Sequence, residues 1–219
     1  PDTHSRAVNA PDGSVVVVTW NVLGHLRANL PAVLESIRRA PGAWEVIVAD
    51  DCSTDGTEDW IVGADLQVRP PSGPVVRIAQ PSEHGGFIAA ANAGVAAARG
   101  RVVVLLNNDA CPEVDFLSPL LPHFNDASVF AMSCRQMPGG GLCAGRFHMG
   151  FLRIRWNDDG GAAAPTLYAD GGAAAFDVSK WRALGGFDPM FSPGYGEDLD
   201  LSYRAWKRGW RVGFEPASV

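Results

Sequence analysis

The stretch Val102–Cys111, VVVLLNNDAC, runs five aliphatic residues into two amides and a carboxylate before Cys111 and Pro112. An unbroken aliphatic run of this length reads as a strand covered on both faces, the pattern of a parallel sheet. A surface turn would account for Asn107, Asn108 and Asp109 if they stood alone, since Asn and Asp are turn residues. They do not stand alone. Ser14–Thr19 (SVVVVT) ends in Thr19, Trp20 and Asn21, and Glu45–Ala49 (EVIVA) ends in Asp50 and Asp51 followed by CSTDGT. Three polar strand ends on one edge favour a site over three unrelated turns.

Between these strands lie helical patterns. NLPAVLESIRRAPG is expected as a helix with Asn29 as cap and Pro31 in its first turn. Asp55 is expected to cap a short helix, with Glu58 completing a capping box. Val75–Ala79 is a third strand, and GGFIAAANAGVAAARG is a helix opened by glycines and closed by Gly100. Strands alternating with helices predict an α/β fold with a mainly parallel, Rossmann-like sheet and helices on both faces. In such sheets ligands sit beyond the carboxyl ends of the strands, where strand order reverses. Beyond Pro112 the expected elements are a helix in PLLPHF begun by Ser118 and Pro119, a strand SVFAMSC, a glycine-rich loop Gly139–Gly145 and a strand FLRIRW. A loop NDDGGAAAPT, a strand AAAFDV, a helix SKWRALGG capped by Ser179 and a helix Glu197–Arg208 follow. No linker separates domains, so residues 1–112 and 113–219 read as two halves of a single domain.

With 219 residues, 47% of them hydrophobic, the chain can bury a sizeable core. Its net charge is −6 and its basic residues are scattered along the sequence, so no footprint for nucleic acid or an anionic surface is expected. Gly85–Ala98 is too short and too weakly apolar to span a bilayer, so no transmembrane segment is expected, nor a signal peptide. Four cysteines without C-x-x-C spacing read as reduced, which fits the cytoplasm and leaves peripheral contact with the inner face of the plasma membrane open.

Aspartates at separate strand ends, without a His or Cys cluster, suit a hard divalent cation such as Mn2+ or Mg2+. Such an ion takes few protein carboxylates and completes its shell with phosphate oxygens, so the pattern suits a metal-bound nucleoside diphosphate. Neither a Walker motif nor G-x-G-x-x-G follows the first strand, which disfavours an NTPase or a dinucleotide enzyme.

Taken in order, ADDCSTDGT, HGGFIAAANAGVAAARG, VVVLLNNDACP and GGAAAFDVSKWRALGGFDPMFSPGYGEDLDLSYRAWKRGW resemble the inverting family 2 glycosyltransferases of GT-A fold over nearly the whole chain. The resemblance implies a nucleotide-sugar donor half at 1–112 and an acceptor half at 113–219. It implies that Thr19, Trp20 and Asp51 border the donor base, that Asn107 and Asn108 lie near the donor, with Asn107 at the ribose, and that Asp109 touches the metal. Gly86 is implied beside the sugar nucleotide, and Gly172 and Glu197 on the acceptor side. Asp198 is implied as the general base, and its place in the first turn of a helix is expected to keep it ionised. The expected donors are UDP-, dTDP- or GDP-linked sugars. The expected acceptors are saccharides or lipid-linked saccharides of bacterial cell-surface polysaccharide or glycoconjugate synthesis, with hexosyl or rhamnosyl transfer.

Departures are visible as well. Relatives commonly continue past FEPASV into a histidine that can ligate metal, so the C-terminal end is expected to be truncated and metal affinity weak. The Q-x-x-R-W element of processive synthases is missing, which favours addition of one or a few sugars. A nucleotide-sugar-binding domain without catalysis is the alternative, and a sugar nucleotidyltransferase fits less well because TWNVLGHLRANLP offers only Arg27 as a basic group. His84 replaces the usual Asn and is either a donor contact or a solvent-exposed loop residue. Asn92 is read as a structural hydrogen-bonding residue, Asp188 as a turn former, and Trp181, Trp206 and Trp210 as core aromatics ahead of sugar platforms.

Overall fold

The structure is a computed structural model and describes residues 10–63, 74–156 and 161–219. In the first half β1 (Gly13–Thr19), α1 (Leu23–Arg39), β2 (Trp44–Asp50), α2 (Thr57–Gly63), β3 (Val75–Ala79), α3 (Gly86–Ala97) and β4 (Val102–Asn107) alternate. The second half holds β5 (Val129–Cys134), β6 (Cys143–His148), β7 (Phe151–Trp156), β8 (Ala164–Pro165), β9 (Ala173–Asp177), α4 (Val178–Leu184), α5 (Glu197–Lys207) and β10 (Arg211–Glu215). One sheet of order β3-β2-β1-β4-β9-β5-β10-β8 runs through both halves, and β6 and β7 form a separate hairpin. β1 is parallel to β2 and β4, whereas β9 is antiparallel to both β4 and β5. The sheet is therefore mixed on the acceptor side.

Aliphatic strands need cover on both faces, and the helices supply it. Leu26, Leu30, Val33 and Ile37 of α1 pack against Val15, Val17, Val46 and Val104 on one face. Ile88 and Val95 of α3, Trp181 of α4 and Leu201 of α5 pack with Val16, Ile47, Leu105 and Phe176 on the other. Trp181 is thus a core aromatic; Trp210 packs at the edge of this cluster, and Trp206 stays partly exposed with its indole N–H donated to the Leu167 carbonyl.

Several expected boundaries are corrected. α1 begins at Leu23, not after Asn29, and carries Pro31 inside it. Its apolar stripe on the sheet outweighs the one backbone bond that Pro31 removes. Asn29 is no cap; its side-chain amide donates to the Asn108 carbonyl at 2.9 Å. The Asp55 carboxylate serves two helix starts, accepting from the N–H of Leu23 (2.8 Å) and of Thr57 (3.2 Å). α3 ends at Ala97, so Gly100 does not close it. A Cβ on Gly100 would lie 2.5 Å from the Gly13 carbonyl carbon, so glycine there permits the chain to cross the start of β1. The cap of α4 is Asp177, which accepts from the Lys180 N–H at 2.9 Å and from the Ser179 hydroxyl at 2.6 Å. PLLPHF is a 3-10 turn over Leu121–Asn125 in place of an α-helix. The end of the glycine-rich loop, from Cys143, joins β6, and the expected loop after Trp156 includes β8, which pairs with β10; residues 157–160 of that loop lie outside the described residues.

Asp188 forms the expected turn, accepting from the Met190 N–H at 2.9 Å. Asn92 bridges α3 to the segment before α5, donating to the Phe187 carbonyl (2.9 Å) and accepting from the Phe187 N–H (3.0 Å). Phe187 is fully buried, so truncating Asn92 leaves two buried backbone groups without partners. Asn92→Ala should therefore lower unfolding stability by about 2–4 kcal/mol in urea titration. A change below about 0.5 kcal/mol would remove this bridge from the account of stability.

Candidate active site

Parallel pairing in register sets Thr19 opposite Asp50 and Val18 opposite Asn107, so the carboxyl ends of β2, β1 and β4 lie side by side. The neighbours of β1 lead in opposite directions along the sheet, which makes this edge the reversal point of strand order. A cleft of about 330 Å³ opens there, lined by Thr19, Trp20, Asp51, Gly86, Asn108 and Asp109. A second cleft of about 620 Å³ is lined by Tyr168, Asp170, Gly172, Glu197 and Asp198. Asn107 lines both. The ten residues that the resemblance assigns to the site therefore line two clefts that meet at the end of β4.

Close packing at Gly172 makes the junction. A Cβ there would lie 2.7 Å from the Asn107 amide nitrogen, and the Gly172 carbonyl accepts from the Asn107 N–H at 2.9 Å. Asn107 and Asp109 are exposed. Asn108 is turned away, its amide donating to the Val18 carbonyl at 3.1 Å, so its side chain ties β4 to β1.

Asp51 is only 2% exposed, and its carboxylate accepts from the N–H groups of Gly85 (3.0 Å) and Gly86 (2.7 Å) at the start of α3. Gly86 has φ +79, and a Cβ there would meet the Pro193 carbonyl oxygen at 3.0 Å, so the turn requires glycine. His84 is both partner and neighbour of the site. Its Nδ1 lies 2.7 Å from Asp51 Oδ2, and its ring stacks on Trp20 at 4.4 Å between centroids.

Buried polar groups differ in how fully they are partnered. At the opposite edge of the sheet, buried Glu45 is fully engaged, accepting from Ser14, from the Arg99 N–H and from Arg77. At the cleft edge, Thr19 Oγ1 and Glu197 Oε2 are buried and have no hydrogen-bond partner among the described residues. A partnerless buried oxygen is costly and calls for water or a ligand group.

Asp198 opens α5, as expected, and accepts from the N–H groups of Leu199 (2.7 Å) and Gly171 (3.3 Å). The expectation that the helix start holds its pKa down is corrected. Burial dominates and, with the negative charges of Asp170 and Glu197, pushes the carboxyl up to about 6 against the pull of the two N–H groups. Asp170 and Tyr168 were not singled out in the sequence, yet both line this cleft. The signal for Asp170 was an acid followed by two glycines at the start of β9, a pattern equally common in turns; Tyr168, alone in a loop, carried none. Burial, with Asp198, Cys143 and Asp170 nearby, raises the Tyr168 phenol.

The family model described as glycosyl transferase family 2 matches residues 14–160, and the related family group 2 model matches 102–219. The chain belongs to glycosyl transferase family 2. Among its relatives is the pre-mycofactocin glycosyltransferase of Mycobacterium tuberculosis, 30% identical over 99% of this chain and 44% of that protein. The chain thus spans less than half the length of that relative. The undecaprenyl-phosphate mannosyltransferase of Micrococcus luteus is 27% identical over 90% of this chain and 79% of that protein. The GT-A fold is shared with solved structures. GalNAc-T7 with UDP, GalNAc and Mn2+ superposes with a TM-score of 0.73 at 20% identity, over 96% of this chain and 43% of that one. The mannosyltransferase PcManGT from Pyrobaculum calidifontis in complex with GDP-Man and Mn2+ gives 0.68 at 23%, over 95% and 58%.

Among the described residues no group of three or more His, Cys, Asp or Glu is placed to hold a metal ion, and no helix is long and apolar enough to cross a membrane. Among the described residues lining the first cleft, Asp109 is the exposed carboxylate. That fits a cation that arrives with its own diphosphate oxygens and would not fit one caged by protein alone.

Proposed function

We propose that this chain transfers a sugar from a nucleotide-diphosphate donor to a hydroxyl of a saccharide or lipid-linked saccharide, with inversion, in bacterial cell-surface polysaccharide or glycoconjugate synthesis. The observation that carries this reading is the meeting of the two clefts at Asn107, with an exposed carboxylate, Asp109, in one and a half-buried carboxylate with a raised pKa, Asp198, in the other. Donor base and ribose are assigned to the first cleft, against Trp20, Asp51 and Asn107, with the Thr19 hydroxyl free to bond the donor. Asp109 would hold Mn2+ or Mg2+, whose Lewis acidity neutralises charge on the departing diphosphate.

The acceptor is assigned to the second cleft, where Glu197 Oε2 awaits a hydroxyl. Asp198 takes the proton of the attacking hydroxyl as its oxygen approaches the anomeric carbon from the face opposite the diphosphate. A carboxyl near 6 is mostly ionised at pH 7 yet basic enough to share that proton in the transition state. A single displacement inverts the anomeric configuration.

A thermal-shift panel of UDP-, GDP- and dTDP-sugars with manganese tests the donor assignment, since a ligand of the native state raises the melting temperature. One nucleotide class should stabilise the parent. Asp51→Ala should weaken binding of that nucleoside by about tenfold or more even without metal, as expected for one charge-assisted hydrogen bond. No shift with any donor, or equal nucleoside affinity in parent and variant, would sink the donor-site assignment.

A further inference from the structure

The β6–β7 hairpin stands apart from the main sheet and pairs only with itself. Its register sets Ala144 opposite Arg155, Arg146 opposite Arg153 and His148 opposite Phe151. Residues opposite one another share a face, and alternation assigns Cys143, Gly145, Leu152, Ile154 and Trp156 to the other. That second face is rooted in the protein: Cys143 is buried, Ile154 lines the cleft of Asp198, and the Trp156 indole donates to the Tyr168 hydroxyl at 3.3 Å. The first face carries three arginines, and all six of its residues are exposed.

Like charges facing one another across a hairpin destabilise it unless something neutralises them. Among the described residues Arg146, Arg153 and Arg155 take part in no ion pair, and no acidic residue occurs between Cys143 and Trp156. Asp158 and Asp159 follow in the sequence and lie outside the described residues. The tip adds a second anomaly. Met149 (φ +50) and Gly150 (φ +83) form the turn, and Met149 and Phe151 are 84% and 74% exposed. A two-residue turn of this kind favours Asn or Asp at its first position; a long apolar side chain there, projecting into water, gains nothing from the fold. Basic groups on one face with apolar side chains at the tip match the chemistry of a membrane interface, anionic headgroups outside and acyl chains beneath.

We infer that the outer face of the β6–β7 hairpin docks this chain on an anionic lipid bilayer, the arginines on headgroup phosphates and Met149 and Phe151 in the acyl boundary. The inference goes beyond sugar transfer and stands on the hairpin's geometry. It places the mouth of the Asp198 cleft, which Ile154 lines, close to the lipid surface. The even scatter of basic residues along the sequence hides this patch, because strand pairing brings together arginines that the sequence separates.

Flotation of the whole chain with vesicles, in the absence of any donor, tests the inference. Vesicles of phosphatidylcholine containing phosphatidylglycerol should carry the chain at low salt, and binding should weaken as salt screens the charges. Pure phosphatidylcholine vesicles should not carry it. Replacing Arg146, Arg153 and Arg155 together by Ser should lower partitioning by about fivefold per arginine, roughly a hundredfold in all. Met149→Ser with Phe151→Ser should lower it separately, with the arginines intact. Melting curves show whether each variant folds, and should the triple variant fail to fold, the tip variant and the lipid and salt dependence of the parent still decide. Absence of parent binding to anionic vesicles, equal binding to neutral ones, or unchanged binding of both folded variants overturns the inference. Loss of transfer with retained flotation would instead count against the proposed reaction alone.

Discussion

Asp198→Asn should reduce transfer to the acceptor by about two to four orders of magnitude while leaving donor binding intact, the range expected when a positioned general base is removed. Asn keeps the shape and can still accept from the Leu199 N–H, so the start of α5 is preserved. In the parent, kcat/KM should fall as pH drops through about 6, where Asp198 takes up a proton, and Asp198→Asn should abolish that limb of the profile. The stability effect has the opposite sign. The folded-state pKa is raised above the ordinary carboxylate value of 3.8, so the folded chain binds protons more tightly than the unfolded chain. Burying the ionised form therefore costs stability in full above about pH 6, and the cost fades as pH falls from there toward 4. The cost is about 2–3 kcal/mol before the loss of any favourable contact is counted, so Asp198→Asn should raise the melting temperature at pH 8 and change it little at pH 4. From an α-linked donor the parent should yield a β-linked product, read from the anomeric NMR coupling. Near-parental turnover in the variant would falsify the base assignment, and a retained configuration would overturn single displacement.

Asp109→Ala should remove metal-dependent binding of the nucleoside diphosphate while sparing the fold. Asp109 is exposed at a loop after β4, so deleting its carboxylate disturbs little packing. With no group of three metal-ligating side chains among the described residues, the cation would depend on this one carboxylate and the diphosphate oxygens. Calorimetry with and without manganese should show the parent's nucleoside-diphosphate affinity rising with metal and the variant's staying flat. The melting temperatures of the apo proteins should agree within a few degrees. A manganese dependence equal to the parent's would take Asp109 out of the metal site.

Much of the donor side was legible because parallel strands place their ends together as a matter of geometry. VVVLLNND, SVVVVTW and EVIVADD each announce a buried strand with a polar carboxyl end, and parallel pairing brings those ends to one edge. The start of α1 was not legible. Its first N–H is satisfied by Asp55, thirty-two residues away, so the local cap signal at Asn29 misled. Ser179 misled for a related reason: Asp177, at the end of β9, reaches the α4 N–H first.

What the sequence determined by itself is the class of the fold and the aliphatic core that holds it, because strand and helix periodicity and turn chemistry are local; the ten residues along the clefts were named by resemblance to the family. Tertiary structure alone decided the state of those residues. Asp198 looked like a carboxylate favoured by a helix start, and became one with a raised pKa through partial burial and the nearby charges of Asp170 and Glu197. Asp51, expected to border the donor base, proved also to be anchored to the turn that opens α3. Arginines spaced along AGRFHMGFLRIRW looked scattered, and strand pairing set them on one face. Desolvation, charge proximity and hydrogen-bond competition depend on groups far apart in the chain, and only folding sets their distances.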